Sequence, residues 1–221
     1  MGYRLRAGVH FCDVGGRLVF LDLGQDRYFC LSDRAEAEFR RAALGAGEEP
    51  AGDRAVSRLV ATGLLVETPH ANAPLACPSL PTPTASALDL RTGEVRASEV
   101  ACALAAVLRA RVALHVRGLA RVLRSIERRG DDAHNVDAPT DGIAAVAAMF
   151  ERTAAWTRSH DQCLPRSIAV ARRLRSLGLH ANLVIGVQLR PFAAHCWVQA
   201  GEQVVNDRID QVRPFQPILV I

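Results

Sequence analysis

Three residues in the second half of the chain have the types and spacing to attack a carbonyl together: Cys163, His195 and Asp207. A thiol is a nucleophile only as its thiolate, so a working cysteine needs a base or a positive field beside it. Cys163 stands where a helix should begin, because Pro165 is tolerated in a first turn, where its missing N–H costs nothing. Free N–H groups and the helix dipole at such a start favour a thiolate and offer donors to an oxyanion. His195 opens a strand after Pro191-Phe192-Ala193-Ala194, and Trp197 shares its sheet face, which gives a partly desolvated imidazole suited to a base. If Ala200-Gly201-Glu202 is a three-residue hairpin loop, Gln199 faces Gln203 and His195 faces Asp207, within reach for a carboxylate to orient the ring. A two-residue loop would put them on opposite faces.

Each residue also has a plainer reading. Cys163 is equally a buried structural thiol, His195 a hydrogen-bonded core histidine and Asp207 a turn-capping carboxylate. Cys163, His195, Cys196 and Asp207 are zinc-ligand types as well. Adjacent strand residues point to opposite faces, however, so His195 and Cys196 cannot bind one ion without a bulge. No metal and no cofactor is expected. The six cysteines form no CxxC pair, which argues against a disulfide framework or a structural zinc site.

The elements that must position these residues follow from period and punctuation. Helical character resumes after Cys163, with Ile168, Ala171, Leu174 and Leu177 on one face and Gly178 as its stop. The period then changes to two over 182–189, with further strands at 195–199 and 203–207. Upstream, Arg96–Arg129 reads as one helix, or two broken near Gly118. Asp131–Asp141 is a polar loop, and a helix from Thr140 or Asp141 reaches about Ser159. Helices first and strands after is an α+β arrangement.

The first 68 residues are organised differently. Runs at 10–14, 17–21 and 28–31, split by Gly15-Gly16 and Gly24-Gln25-Asp26, predict a three-stranded meander. Ser32 or Asp33 starts a helix to about Leu44, with Glu36 placed for a capping box. A second helix spans about Asp53 to Thr62. Five of the eleven prolines lie between Pro69 and Pro83, a density that holds extended backbone. The expected division is 1–68, a linker at 69–90, and 91–221.

Composition narrows the partners. The net charge is +4, and all 27 basic residues are arginine. Residues 1–68 carry nine Arg against ten acids, and 96–221 seventeen against eleven. The arginines of the second half recur at helical spacing among Ala and Leu, as at Arg117, Arg121, Arg124 and Arg128. That is a solvated helix face, and without aromatic interleaving no nucleic acid is expected. No apolar run is long enough for a bilayer, and Met1–Arg6 lacks the apolar stretch of a secretion signal, so a soluble cytoplasmic protein is expected.

The blocks Cys163-Leu-Pro-Arg-Ser-Ile-Ala, Ala181-Asn-Leu-Val-Ile-Gly-Val, Pro191-Phe-Ala-Ala-His-Cys-Trp-Val and Val205-Asn-Asp207 resemble the leader peptidases of lasso-peptide biosynthesis, the B proteins. The resemblance covers roughly residues 155–221 and implies a transglutaminase-like (papain-like) cysteine protease fold. It makes Cys163 the nucleophile, His195 the general base and acid, and Asp207 the orienter. It leaves Arg166, Ser167, Trp197 and Asn206 without a role. Residues 1–68 resemble, more weakly, the RiPP recognition element, a winged-helix-like module in which a leader peptide adds beside the third strand and packs on the third helix. The corresponding residues are Tyr28, Phe29, Cys30 and Leu31 with Arg54, Arg58 and Leu59, although 45–52 leave room for only a vestigial second helix. The implied function is leader binding, then cleavage of the leader–core junction of a ribosomal precursor peptide, with a threonine just upstream of the cut. The amine released would pass to an ATP-dependent macrocyclase of the same pathway. Two other readings remain: a transglutaminase-like acyl transferase, and a non-cutting scaffold that presents the precursor to the cyclase.

Overall fold

The computed structural model describes residues 2–44, 53–68, 74, 76–90, 93–130, 140–154 and 162–221. The chain divides into two compact units, Met1–Pro78 and Ser79–Ile221. Among the described residues, no helix is long and apolar enough to cross a membrane.

In the first unit, β2 (Val9–Val14), β3 (Arg17–Asp22) and β4 (Arg27–Cys30) form the expected antiparallel meander. Val14 pairs with Arg17, so Gly15 and Gly16 are the whole turn, both at positive φ, as a two-residue hairpin of this hand requires. The wider β3–β4 turn is held by Asp22, whose Oδ1 accepts from the N–H groups of Gly24 (3.0 Å) and Gln25 (3.2 Å). Helix α1 (Asp33–Leu44) and helix α2 (Asp53–Ala61) close the core. Its centre is three rings: Phe39 meets Phe11 and Phe20 edge-on, with centroids 5.5 and 5.3 Å apart. Residues 45–52 lie outside the described residues.

A further strand, β1 (Gly2–Leu5), pairs antiparallel with β5 (Leu65–Thr68), and its alternate residues Tyr3 and Leu5 pack against the core. One local expectation needs correcting. Glu36 forms no capping box. Its buried carboxylate turns inward, accepts from the Leu18 N–H at 3.1 Å and pairs with Arg40 at 2.9 Å. A buried carboxylate must be paired, and the sheet backbone and Arg40 supply more partners than the helix start does.

The second unit is a five-stranded sheet in the order β10-β7-β8-β9-β6 with helices packed against it. Its strands are β6 (Ala85–Ser86), β7 (Asn182–Leu189), β8 (Phe192–Ala200), β9 (Gln203–Val204) and β10 (Gln216–Val220). Its long helices are α3 (Ala97–Arg117), α4 (Leu119–Gly130), α5 (Thr140–Ala154) and α6 (Cys163–Ser176); the short α7 (Ile209–Val212) precedes β10. Gly118, at φ 75°, separates α3 from α4. Ile168, Ala171 and Leu174 of α6 are fully buried, whereas Leu177 is 46% exposed, just past the helix end. The expected loop at 131–139 and the extension of α5 to Ser159 fall outside the described residues.

Residues 79–90, expected in the linker, belong to this second unit. Ser86 of β6 pairs with Val204, parallel to β9, and Leu80 packs on the core cluster of Val184, Trp197 and Val204. Proline density identifies extended backbone but not whether that backbone is solvated or docked. The last strand, β10, contains Pro217 and sits at the sheet edge beside β7, where proline is tolerated.

Candidate active site

Cys163 is the first residue of α6, and Pro165 sits buried in the first turn, as its fixed φ and missing N–H require. The buried face of α6 lies against β7 and β8. His195 is in the middle of β8 rather than at its start, since β8 begins three residues earlier at Phe192. Its ring Nε2 is 2.6 Å from Asp207 Oδ2. The carboxylate oxygen accepts, so Nε2 carries the proton and donates, which leaves Nδ1 as the other hydrogen-bonding position of the ring.

The register that brings Asp207 there differs from the expected one. Ala200 pairs with Gln203 and Gln199 with Val204, so the β8–β9 turn has two residues, Gly201 and Glu202. A continued ladder would put Asp207 opposite Cys196 on the wrong face. The ladder stops instead. Val205 still donates to the Val198 carbonyl (2.8 Å), but the Val198 N–H donates to the side-chain Oδ1 of Asn206 (2.7 Å) rather than to backbone. The chain bends out of the sheet at 205–207, and Asp207 reaches His195 free of strand parity.

Asp207 is held on three sides. Its Oδ2 meets His195, its Oδ1 accepts from the Arg208 N–H at 2.9 Å, and its carbonyl accepts from the buried Ser86 hydroxyl at 2.7 Å. The imidazole packs beside two aromatic rings, with centroids 6.1 Å from Trp197 and 5.2 Å from Phe215. Across the sheet, His195 pairs with Gly186. A Cβ at Gly186 would lie 2.7 Å from the Trp197 ring and 2.9 Å from Phe215 Cβ, so only glycine leaves room for both.

The electrostatics couple thiol and imidazole. Burial pushes the Cys163 thiol up, but the hydrogen bond and charge of His195, with backbone hydrogen bonds at Cys196 and Leu164, outweigh it and bring the pKa below the ordinary thiol value. Burial likewise opposes charge on His195, yet the hydrogen bonds to Asp207 and Cys163 and their charges raise it to about 9. Both shifts favour a thiolate–imidazolium pair. Cys196 points to the other face, and its burial raises its thiol steeply. Burial also pushes Cys12 up to about 12 and Cys77 up to about 11.

The family model for the transglutaminase-like superfamily matches residues 104–220, which include Cys163, His195 and Asp207. The chain belongs to the transglutaminase-like superfamily. The matched part begins after Ser86, so the hydroxyl that braces Asp207 comes from outside it. Among curated proteins, the microcin J25-processing protein McjB of Escherichia coli is 51% identical over 45 residues, which is 20% of this chain and 22% of that protein. No solved structure matches the chain.

The residues expected to bind a peptide separate by strand parity. Phe29, Leu31, Arg58 and Leu59 line a cavity of about 320 Å³ in the first unit, with Arg27, Arg34, Glu38 and Thr62. Tyr28 and Cys30 alternate to the other face of β4 and are not in its lining. Arg54 lies in α2, with its side chain outside the described residues. Sequence reasoning missed Ser86, Gly186 and Phe215. Gly186 had a signal, a glycine inside an otherwise apolar strand; Ser86 and Phe215 had none, because their partners are distant in the chain.

Proposed function

We propose that this chain is a cysteine endopeptidase of lasso-peptide maturation, which binds the leader of a ribosomal precursor peptide with its first unit and cuts the leader–core junction at the Cys163 site. The observation that carries this reading is the 2.6 Å contact of His195 with Asp207, together with the coupling of His195 to Cys163 that lowers the thiol and raises the imidazole. Local identity to a protein named for processing microcin J25 supports the choice of pathway.

The Cys163 thiolate adds to the scissile carbonyl, and the His195 imidazolium gives its proton to the departing amine. The core leaves with a free α-amine, and the leader stays on sulfur as a thioester. Neutral His195 then takes a proton from water as the water oxygen adds to the thioester carbonyl. Collapse releases the leader acid and restores thiolate and imidazolium. Asp207 keeps the Nε2–H aimed and stabilises the ring when charged. The freed amine is the group that an ATP-dependent macrocyclase would join to a side-chain carboxylate.

Leader capture is assigned to the first unit. Among the described residues β4 pairs on one side only, with β3. An extended peptide can add there through its main chain, with side chains entering the adjoining cavity, as in a RiPP recognition element.

Mass spectrometry of a synthetic precursor incubated with the full chain tests the reading. Leader acid and free core should appear, and Cys163→Ala should give neither while binding the leader like the wild type. A leader amide in place of the acid would mean acyl transfer to an amine. Undiminished cleavage by Cys163→Ala would remove Cys163 from the chemistry.

A further inference from the structure

The three groups of the site stand on three separate segments: α6 carries Cys163, β8 carries His195, and the bend after β9 carries Asp207. One pair of buried polar side chains touches all three segments. The Ser167 hydroxyl, one helical turn beyond Cys163, donates to the carbonyl of Cys196 at 2.8 Å. The same oxygen accepts from Asn206 Nδ2 at 2.9 Å, and Asn206 Oδ1 accepts from the Val198 N–H at 2.7 Å. Ser167 is 0% and Asn206 5% exposed. Arg166 of α6 adds a bond from its Nη2 to the Asn206 carbonyl at 3.2 Å.

We infer that Ser167 and Asn206 are a positioning pair for the Cys163–His195–Asp207 unit, setting the approach of α6 to β8 and the exit of Asp207 from the sheet. Cohesion does not require them. The packing of α6 against the sheet and against α3 and α5 already buries Ile168, Ala169, Val170, Ala171 and Leu174, and an apolar pair of the same shape would hold the layers together nearly as well. Apolar packing leaves the helix free to settle by small slides, whereas a directional, satisfied polar network fixes one arrangement. The pair also sits at the three places where a small shift reaches the chemistry. Ser167 is on the nucleophile's helix, the Cys196 carbonyl follows His195 directly, and Asn206 directly precedes Asp207. Asn206 is moreover the group that ends the β8–β9 ladder, and without that ending Asp207 would face away from His195.

The inference rests on reading Cys163, His195 and Asp207 as one reacting unit, so its test uses a readout independent of peptide cleavage. In the full chain, iodoacetamide alkylation of Cys163 is followed against pH by mass spectrometry of the Cys163 peptide, which separates it from the exposed Cys30 and Cys102. Ser167→Ala and Asn206→Ala should each move the alkylation midpoint up by about one pH unit, as the sulfur loses its aligned imidazolium. In the cleavage assay kcat should fall on the order of 10- to 100-fold with KM little changed, the size of effect expected from a small misplacement of reacting groups. Ser167→Ala removes one atom and is the variant to rely on if Asn206→Ala does not fold. A lowered Tm with the wild-type alkylation profile and kcat would overturn the inference and leave the pair a purely structural contact. Shifted profiles in a chain that cleaves no precursor would keep the positioning pair and sink the leader-peptidase reading. Normal cleavage and alkylation by Ser167→Ala would do the reverse.

Discussion

Asp207 meets His195 at 2.6 Å although the register of β9 points that position toward Cys196. The contact is made by a bend and not by a strand. Asp207 is therefore set by the bend at Asn206 and by its own hydrogen bonds, to Arg208 N–H and to the Ser86 hydroxyl, and not by cross-strand pairing.

Asp207→Asn should keep this shape, because an amide can still meet Nε2, but it can favour the wrong imidazole tautomer. Cleavage should fall by on the order of 10²–10⁴ in kcat. His195→Ala should cost about as much as Cys163→Ala, since members of such a unit act together. Single-turnover kinetics on the three variants checks the order. An Asp207→Asn enzyme within twofold of wild type would exclude the carboxylate from the reaction.

The pH dependence follows from the two shifts. Cys163 is lowered, so the thiolate is present at pH values where an ordinary thiol is still protonated, and the acid limb of kcat/KM should lie below the ordinary thiol value. His195 is raised to about 9, so the imidazolium that protonates the leaving amine is lost as pH rises through about 9, and activity should fall there. The profile is a bell with its plateau between the two limbs. In Asp207→Asn the alkaline limb should move to lower pH, because the carboxylate is the strongest favourable contact of the charged ring. An unmoved limb would assign that limb to another group.

Gly186→Ala should damage both fold and site. The added Cβ meets the Trp197 ring and Phe215 Cβ inside 3 Å, and both are packed beside His195. Overpacking of this kind costs about 1–3 kcal/mol. Thermal unfolding should show the loss. The Cys163 alkylation rate at neutral pH should fall as well, because the rings that move are the ones that seat the imidazole.

Leader binding should follow the parity of β4. Phe29→Ala and Arg58→Glu alter the cavity lining and should weaken leader binding in fluorescence anisotropy, slowing cleavage at limiting substrate and sparing the rate at saturation. Tyr28→Ala, on the other face of the strand, should bind nearly as well as wild type. The opposite ranking would move the binding face to the far side of the meander.

Much of this architecture is determined by local chemistry and so by the sequence alone. Pro165 and Gly178 bracket α6 around a buried face, Gly15-Gly16 dictates a tight hairpin, and alternation over 182–189 dictates a strand whose glycine faces His195. These features depend on a residue and its near neighbours, through φ restriction, missing donors and side-chain period. The types of the three groups proposed to react were likewise legible, since only certain side chains can be nucleophile, base and orienter. Their meeting was not. Whether Asp207 faces His195 depends on where a strand stops pairing, and Asn206 decides that by bonding Val198 and Ser167, the latter 39 residues away. The docking of 79–90 into the second unit is of the same kind: Ser86 reaches Asp207 across 121 residues. Such contacts are selected by the packed shape of the whole unit, because a hydroxyl or amide has many possible partners in sequence and acquires one only when burial removes water as an alternative.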